Sequence, residues 1–319
     1  MDELRRRLLA GDTRALARAI SLVEEGGAAG RAMAQFSFLH AGSACVVGVT
    51  GVPGGGKSTL VNGLAALYRG DGERVGVVAV DPSSAFSGGA LLGDRIRMQQ
   101  HTMDPDVFIR SMATRQHLGG MAAATPEVVD VINAAGYRRI LIETVGVGQD
   151  EIEVVETADT VVVVLVPGLG DDIQSIKAGI LEIADILVIN KADREGVDRL
   201  ERDLESLQSM VERTAGEWVP PILRTTATQG EGLEALQVAV ERHATNPASR
   251  RQRQKRQRQA WIRRLRSLVE EGLRNRLEEA VPVTEQMESL AEEIVERRCD
   301  PYSAADSILS RVRLQAVEP

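Results

Sequence analysis

The chain has 319 residues, 43% of them hydrophobic and 26% charged, a composition typical of a globular protein with one large α/β core and helical additions. The formal net charge of −8 and the aromatic content of 3% argue against nucleic acid or an acidic lipid surface as a partner. No apolar run reaches the length of a membrane span, and the N-terminus is charged. The two cysteines make neither a disulfide framework nor a zinc site. We therefore expect a soluble cytoplasmic protein.

Residues 1–42 are predicted to form a helical extension. Apolar residues recur there at three- and four-residue spacings, and Gly11-Asp12-Thr13 and Gly26-Gly27 interrupt the pattern. The segment carries no visible ligand chemistry. We therefore expect it to pack on the main domain or on a partner.

Residues 43–245 alternate strand-like and helix-like segments, which predicts an α/β domain. The strand-like runs are Ala44–Thr50, Arg74–Val80, Val107–Arg110, Arg139–Glu143, Thr160–Val166, Ile186–Asn190 and Ile222–Thr226. Because these runs are almost continuously apolar, they predict a mostly parallel, roughly seven-stranded sheet with helices on both faces. Ligands of such sheets gather beyond the carboxyl ends of the strands, so the polar residues found there are the functional candidates.

The first strand leads into Gly51-Val-Pro-Gly-Gly-Gly-Lys57-Ser58-Thr59, which matches the phosphate-binding pattern G-x-x-x-x-G-K-[ST]. Its glycines let backbone N–H groups approach phosphate oxygens, and the following helix adds its positive N-terminal end. We expect Lys57 to reach the β- and γ-phosphates and the Ser58 hydroxyl to bind Mg²⁺. The nucleotide-binding candidates in this loop are Gly54, Gly55, Gly56, Lys57, Ser58 and Thr59.

Acidic residues follow later strands. Asp81 ends the second strand, where a P-loop protein holds Mg²⁺, although an Asp-Pro turn or a helix cap is the alternative. Glu143 ends another strand, where many GTPases place the Asp of D-x-x-G. It is expected to bind the water shell of magnesium or to position the attacking water, whereas a structural carboxylate is the alternative. Gly146 is expected to offer its N–H to a γ-phosphate.

The sixth strand-like run ends in Asn190-Lys191-Ala192-Asp193, the pattern N-K-x-D. The carboxylate of Asp193 can accept hydrogen bonds from N1–H and the exocyclic amino group of guanine. Adenine offers no such donor pair and would leave a charge unpaired. The pattern therefore predicts guanine selectivity, and Thr226 and Ala227 fit the loop that supports the guanine ring.

Residues 246–319 are predicted to form a helical arm. Arg250–Arg258 holds six positive charges and no acid, and an apolar-periodic helix containing Trp261 and Leu265 follows. A basic run can indicate nucleic acid or a membrane, but acidic residues follow at once. We favour a dimerisation or docking element.

Seven strings occur in order: GVPGGGKST, VDPSS, GGALLGDRIRM, FIRSMATR, ETVGVGQDE, PGLGDDIQSIKAGILEIADI and NKAD. This set resembles the MeaB/ArgK family, GTPases of the SIMIBI class of P-loop proteins, over nearly the whole chain. The resemblance implies a chaperone that protects a cobalamin-dependent acyl-CoA mutase, such as methylmalonyl-CoA mutase, and gates its cofactor loading through GTP hydrolysis to GDP. It also implies a homodimer held partly by the C-terminal helices.

The resemblance assigns further roles. It places Asp81, Asp94 and Glu143 around Mg²⁺ together with Ser58, and it makes Lys57, Asp94 and Glu143 the catalytic candidates. It implies nucleotide-sensing switches at residues 81–97, 143–153 and 168–177. One departure is Gln116, which stands where the family pattern leads us to expect glycine.

The sequence leaves two rival functions open and disfavours a third. One is a transport-associated kinase of the ArgK type, and another is a nucleotide-dependent scaffold with little turnover. The third, a nickel metallochaperone GTPase, predicts a His-rich tract or paired Cys/His ligands, whereas this chain has four dispersed histidines and no C-x-x-C.

Overall fold

The computed structural model describes residues 1–82, 104–114, 124–144, 156–168, 183–211, 216–280 and 283–310. The candidates Asp94 and Gly146, together with Gln116, lie outside these residues, as do large parts of the three expected switches. Contacts between Cα atoms divide the chain into two compact units, Met1–Gln254 and Lys255–Pro319.

Seven strands form one sheet in the order β3-β2-β4-β1-β5-β6-β7, and every pair of neighbours is parallel. The strands are β1 Cys45–Gly51, β2 Val75–Pro82, β3 Val107–Thr114, β4 Arg139–Thr144, β5 Thr160–Leu165, β6 Ile186–Asn190 and β7 Ile222–Thr225. The predicted α/β class and strand number are confirmed. β1, β2, β3 and β4 extend beyond the carboxyl ends of their predicted runs, because the residues that follow these runs still join the ladder.

Ten helices are present in the described part of the chain. They are α1 Asp2–Leu9, α2 Thr13–Glu25, α3 Gly27–His40, α4 Lys57–Gly70, α5 Thr125–Ala134, α6 Val197–Met210, α7 Leu233–Thr245, α8 Pro247–Ala280, α9 Val283–Val295 and α10 Pro301–Ser310. None of these helices combines the length and the apolar character that a membrane crossing needs.

The N-terminal segment is helical as predicted, and the breaks fall at the predicted glycines. The Asp12 carboxylate caps α2 by accepting the Ala15 N–H at 2.9 Å, a contact that also lowers the pKa of Asp12. α2 buries Leu16 and Ile20 in the core below the sheet, and Glu24 forms an ion pair with Arg110 of β3. The segment therefore packs within the first compact unit.

The sheet separates two hydrophobic clusters, as expected for a parallel sheet covered on both faces. Successive residues of one strand point to opposite faces, so Ile140 and Ile142 of β4 enter one cluster and Leu141 enters the other. α2, α5 and α6 cover the first face, and α4 and α7 cover the second. This packing fixes the carboxyl ends of the strands at one edge of the sheet.

The second unit contains α8 from Lys255 onward, together with α9 and α10. Asp300 caps α10 by accepting the N–H groups of Tyr302 and Ser303, each at 3.0 Å. α8 carries exposed apolar side chains, namely Trp261, Ile262, Leu265, Val269 and Leu273. The expected division at 42/43 and 245/246 stays a prediction.

Asp130 on α5 is a mostly buried carboxyl group that reduces stability at neutral pH. Burial, and secondarily the Glu127 carboxylate, raises its pKa from the ordinary 3.8 to about 7. Between these pH values the folded chain retains a proton that the unfolded chain releases, so the free energy of unfolding falls as pH rises through this window.

We therefore expect Asp130→Asn to raise the free energy of unfolding by about 2 kcal/mol at about pH 8 and to leave it nearly unchanged at about pH 4. Urea titrations at both pH values provide the measurement. Glu127→Gln is the control. In this variant the free energy of unfolding should still fall as pH rises, because burial is the larger cause of the raised pKa of Asp130, but the fall should end at a lower pH. Equal effects of Asp130→Asn at both pH values would contradict this account.

Candidate functional site

The phosphate-loop sequence connects β1 to α4, and two of its glycines are sterically required. Gly51 has φ 132° and Gly56 has φ 87°, in the region that side chains disfavour. A Cβ atom on Gly51 would lie 2.1 Å from the carbonyl oxygen of Val164, and one on Gly56 would lie 2.4 Å from the side-chain nitrogen of Asn190. The loop thus passes close to β5 and β6, and only glycine fits at these two positions.

Lys57 is the first residue of α4 and is 5% exposed. Its Nζ donates hydrogen bonds to the carbonyl oxygens of Gly51 at 2.9 Å and Val52 at 3.0 Å. The helix starts before the apolar pattern that begins at Leu60, because Gly56 adopts the left-handed conformation and acts as the N-cap. The ammonium group is consequently held beside the loop and the positive end of α4.

Ser58 and Glu143 meet although 85 positions separate them in the chain. The Ser58 hydroxyl donates to Oε1 of Glu143 at 2.5 Å, a length typical of a hydrogen bond to a carboxylate. Glu143 is 8% exposed and lies opposite Val49 in the β1–β4 ladder, so the register of the sheet brings the carboxylate to α4.

A hydroxyl and a carboxylate are the oxygen ligands that Mg²⁺ prefers, so this pair fits that ion. β2 runs through Asp81, which the backbone therefore places at the same edge of the sheet, while its side chain is outside the described part. Among the described residues, no group of three or more His, Cys, Asp or Glu side chains is arranged so that it could hold a metal ion.

Asn190 connects the predicted base motif to the phosphate loop. Its side-chain nitrogen donates to the Gly55 carbonyl oxygen at 2.7 Å, and its side-chain oxygen accepts from the Thr225 hydroxyl at 3.0 Å and the Ala227 N–H at 3.2 Å. Asn190 is 2% exposed, so water cannot easily replace these partners. The Asn190 side chain therefore connects the end of β6 to the phosphate loop, to the end of β7 and to the segment that follows β7.

The next residue strengthens this connection. Lys191 has φ 58°, which is unusual for a residue with a side chain, and its Nζ donates to the Gly54 carbonyl oxygen at 2.7 Å. Ala192 N–H donates to the Thr225 carbonyl oxygen at 3.0 Å, which ties the motif to β7. Asp193 is exposed, so its carboxylate is accessible to a ligand.

The loop after β7 is ordered by its own backbone. Thr226 forms an antiparallel bridge with Glu231, in which the Thr226 N–H donates to the Glu231 carbonyl oxygen at 3.1 Å. This bridge closes a tight turn that positions Ala227 beside Asn190. Thr226 is not part of β7, so the strand ends one residue earlier than predicted.

The structure thus gathers the described candidates at the carboxyl edge of the sheet. Sequence reasoning missed the hydroxyl groups that support them, because a threonine near a strand end is common. The Thr225 hydroxyl bonds to Asn190, and Thr50 bonds to Thr144. The only sequence signal was the presence of polar residues where apolar strands end.

Comparison with known proteins gives a consistent result. A family model described as methylmalonyl Co-A mutase-associated GTPase MeaB matches residues 16–282. A protein of Pyrococcus abyssi (strain GE5 / Orsay) named as a GTPase is 45% identical over 315 residues, which cover 98% of this chain and 97% of the relative. GTPase ArgK of Escherichia coli (strain K12) is 37% identical over 280 residues, which cover 85% of this chain and 84% of the relative.

A solved structure is also similar. It is described as the crystal structure of LAO/AO transport system kinase, with a TM-score of 0.68 and 26% sequence identity. The match covers 97% of this chain and 96% of the other. The similarity therefore extends over nearly the whole chain.

Proposed function

Because this chain belongs to the MeaB family of GTPases, we propose that it hydrolyses GTP to GDP and phosphate in order to gate cofactor loading of a cobalamin-dependent acyl-CoA mutase. One observation carries the nucleotide part of this proposal: the Asn190 amide contacts the Gly55 carbonyl at 2.7 Å. A single ligand that spans the base motif and the phosphate loop is thereby favoured, and its base is guanine.

The phosphates of GTP are proposed to bind along the loop from Gly54 to Thr59. The N–H groups at the start of α4 and the ammonium group of Lys57 would compensate the negative charge. Ser58 and Glu143 would hold Mg²⁺ together with Asp81 and Asp94, and this ion would neutralise charge on the phosphates.

Hydrolysis in this proposal depends on positioning and electrostatic stabilisation. Glu143 has two carboxylate oxygens, one of which accepts the Ser58 hydroxyl, so the side chain has a fixed orientation at the end of β4. From there it would also orient the attacking water. Gly146 would respond to the γ-phosphate and report its loss.

At the base, Asp193 would accept the two N–H groups of guanine. Asn190 and Lys191 would hold the base loop against the phosphate loop, through the bonds to Gly55 and Gly54. Thr226 and Ala227 would support the ring. Recognition of the base and binding of the phosphates would then be coupled, because Asn190 and Lys191 belong to the base loop and contact the phosphate loop.

The mutase part of the proposal rests on the description of the family, which names methylmalonyl Co-A mutase. We propose that this enzyme or a related acyl-CoA mutase is the partner and that the complex forms in the cytoplasm. A homodimer is also part of the proposal, supported by the exposed apolar side chains of α8.

The test uses the purified chain and the purified acyl-CoA mutase of the same organism. Complex formation is measured by size-exclusion chromatography, and cobalamin loading is followed by absorbance, with GDP, GTP or a non-hydrolysable GTP analogue. We expect the rate of loading to differ by about 10-fold or more between the nucleotides, as in typical allosteric coupling. A loading rate independent of both the chain and the nucleotide would exclude the gating role, even if the chain hydrolyses GTP.

A protein kinase tied to transport is the second candidate, because the similar solved structure is described as a transport system kinase. The two functions differ in the phosphate acceptor, which is water for the GTPase and a protein for the kinase. Incubation with γ-³²P-GTP and candidate acceptor proteins separates them. Label released only as inorganic phosphate supports the GTPase, and stoichiometric protein labelling supports the kinase.

A further inference from the structure

Two buried threonines form a hydroxyl pair between β1 and β4. Thr144 donates its hydroxyl hydrogen to Oγ1 of Thr50 at 3.0 Å, and both residues are almost completely buried. They follow Val49 and Glu143, the last residue pair of the β1–β4 ladder. The side-chain bond thus continues the connection between β1 and β4 beyond the backbone ladder.

This pair lies between two groups proposed to act on GTP. Thr50 is followed by Gly51, whose carbonyl oxygen accepts from Lys57 Nζ at 2.9 Å. Thr144 is preceded by Glu143, whose carboxylate accepts from Ser58 at 2.5 Å. A shift of β4 along β1 would therefore move the carboxylate of Glu143 relative to the ammonium group of Lys57 and the hydroxyl of Ser58.

Because the two threonines are buried, loss of their hydrogen bond is expected to affect the rate of hydrolysis more than the stability of the chain. Water cannot replace a hydrogen bond at a site with no solvent access, so loss of the hydroxyl leaves the two strand ends less strongly connected. A cross-strand pair of this kind contributes only about 0.2–1 kcal/mol to stability. A displacement of about 1 Å at a catalytic group, in contrast, can lower a rate by about 10²-fold.

We propose that Thr144 is a positioning residue for GTP hydrolysis, which holds Glu143 in register with Lys57 through its bond to Thr50. This inference rests on the proposed GTPase function. It adds to that function two residues, Thr50 and Thr144, that are not among the groups proposed to bind the phosphates or the base. Because the role depends on a hydroxyl group that donates to Thr50, serine can replace Thr144 and valine cannot.

The test compares Thr144→Val and Thr144→Ser with the unmodified chain. Valine keeps the shape and the β-branching, so we expect kcat for GTP hydrolysis to fall about 10-fold, the effect typical of losing a supporting hydrogen bond. KM for GTP should change by less than about 2-fold, because the base and phosphate-loop contacts remain. Serine should restore kcat.

A matched control is Thr160→Val. Thr160 is another completely buried threonine of a parallel strand, and its hydroxyl bonds to the His243 ring at 2.8 Å, at the opposite end of the sheet from the nucleotide site. This variant should leave kcat unchanged whatever its effect on thermal stability. An equal loss of kcat in both valine variants would show a general stability effect and overturn the inference.

Two further measurements keep the inference testable if Thr144→Val folds poorly. Thr50→Val removes the acceptor and should also lower kcat, by at least as much, because Thr50 has a further contact besides Thr144. In the double variant, the loss of kcat should be smaller than the product of the two single losses, because the shared hydrogen bond is lost only once. Fully multiplicative losses would contradict a joint role. If the unmodified chain hydrolysed no GTP, the proposed function itself would fail, whereas normal hydrolysis by Thr144→Val refutes only the inference.

Discussion

Replacement of Lys57 by methionine is expected to weaken GTP binding by about 100-fold and to lower kcat by about 10²–10³-fold. The physical reason is the loss of a positive charge that the structure already holds in place, with Nζ bonded to the carbonyl oxygens of Gly51 and Val52. Equilibrium titration with a fluorescent GTP analogue and a phosphate-release assay provide the two measurements.

Methionine keeps the length of the apolar stem, so the effect of Lys57→Met on folding should be small. Removal of a buried charge offsets the loss of the hydrogen bonds to Gly51 and Val52, and we expect the free energy of unfolding to change by less than about 1 kcal/mol. Lys255→Met, at an exposed position of α8, is the matched control and should bind GTP normally. Unimpaired binding by Lys57→Met would rule out the proposed phosphate site.

Asp193→Asn is expected to reduce the preference for GTP over ATP by about 10³-fold. An amide cannot accept both N–H groups of guanine, because it presents a donor where the second carboxylate oxygen was. Xanthine carries a carbonyl in place of the exocyclic amino group, so the same variant should gain affinity for xanthosine triphosphate. Competition of GTP, ATP and xanthosine triphosphate for a labelled nucleotide measures all three affinities.

The control for this prediction is Asp198→Asn. Asp198 is an exposed carboxylate near the start of α6 and forms an ion pair with Arg224 at 2.7 Å. Its removal takes away the same charge from the same surface, so it tests for a general electrostatic effect. We expect the preference for GTP to persist in Asp198→Asn. Retained preference in Asp193→Asn would show that the base is recognised elsewhere.

The fold could be predicted largely from local pattern. Continuous apolar runs identified all seven strands, because strands buried on both faces have no polar side to obscure them. Strand order, however, was not visible. β4 lies between β1 and β2, and this arrangement depends on how the helices cover the two faces rather than on any one segment.

The motifs of the candidate site could be predicted from the sequence, whereas the contacts between them could not. The loop that includes Lys57 and the motif from Asn190 to Asp193 have chemistry that requires certain residue types at fixed spacing, so short segments were enough. The contact between Ser58 and Glu143 and the one between Asn190 and Gly55 were not readable, because each joins residues far apart in the chain. The support from Thr50, Thr144 and Thr225 was missed for the same reason.

Periodicity and motif chemistry are properties of neighbouring residues, so the parallel α/β class, the phosphate-loop motif and the guanine motif could be predicted from the amino-acid sequence. Which side chains from separate strands meet depends instead on how the strands are aligned and packed in the folded chain. The sheet register places Glu143 opposite Val49, and the burial of Asn190 turns its amide into a connection between loops. These relations arise from packing over long separations, where a displacement of one strand position would put each side chain on the opposite face.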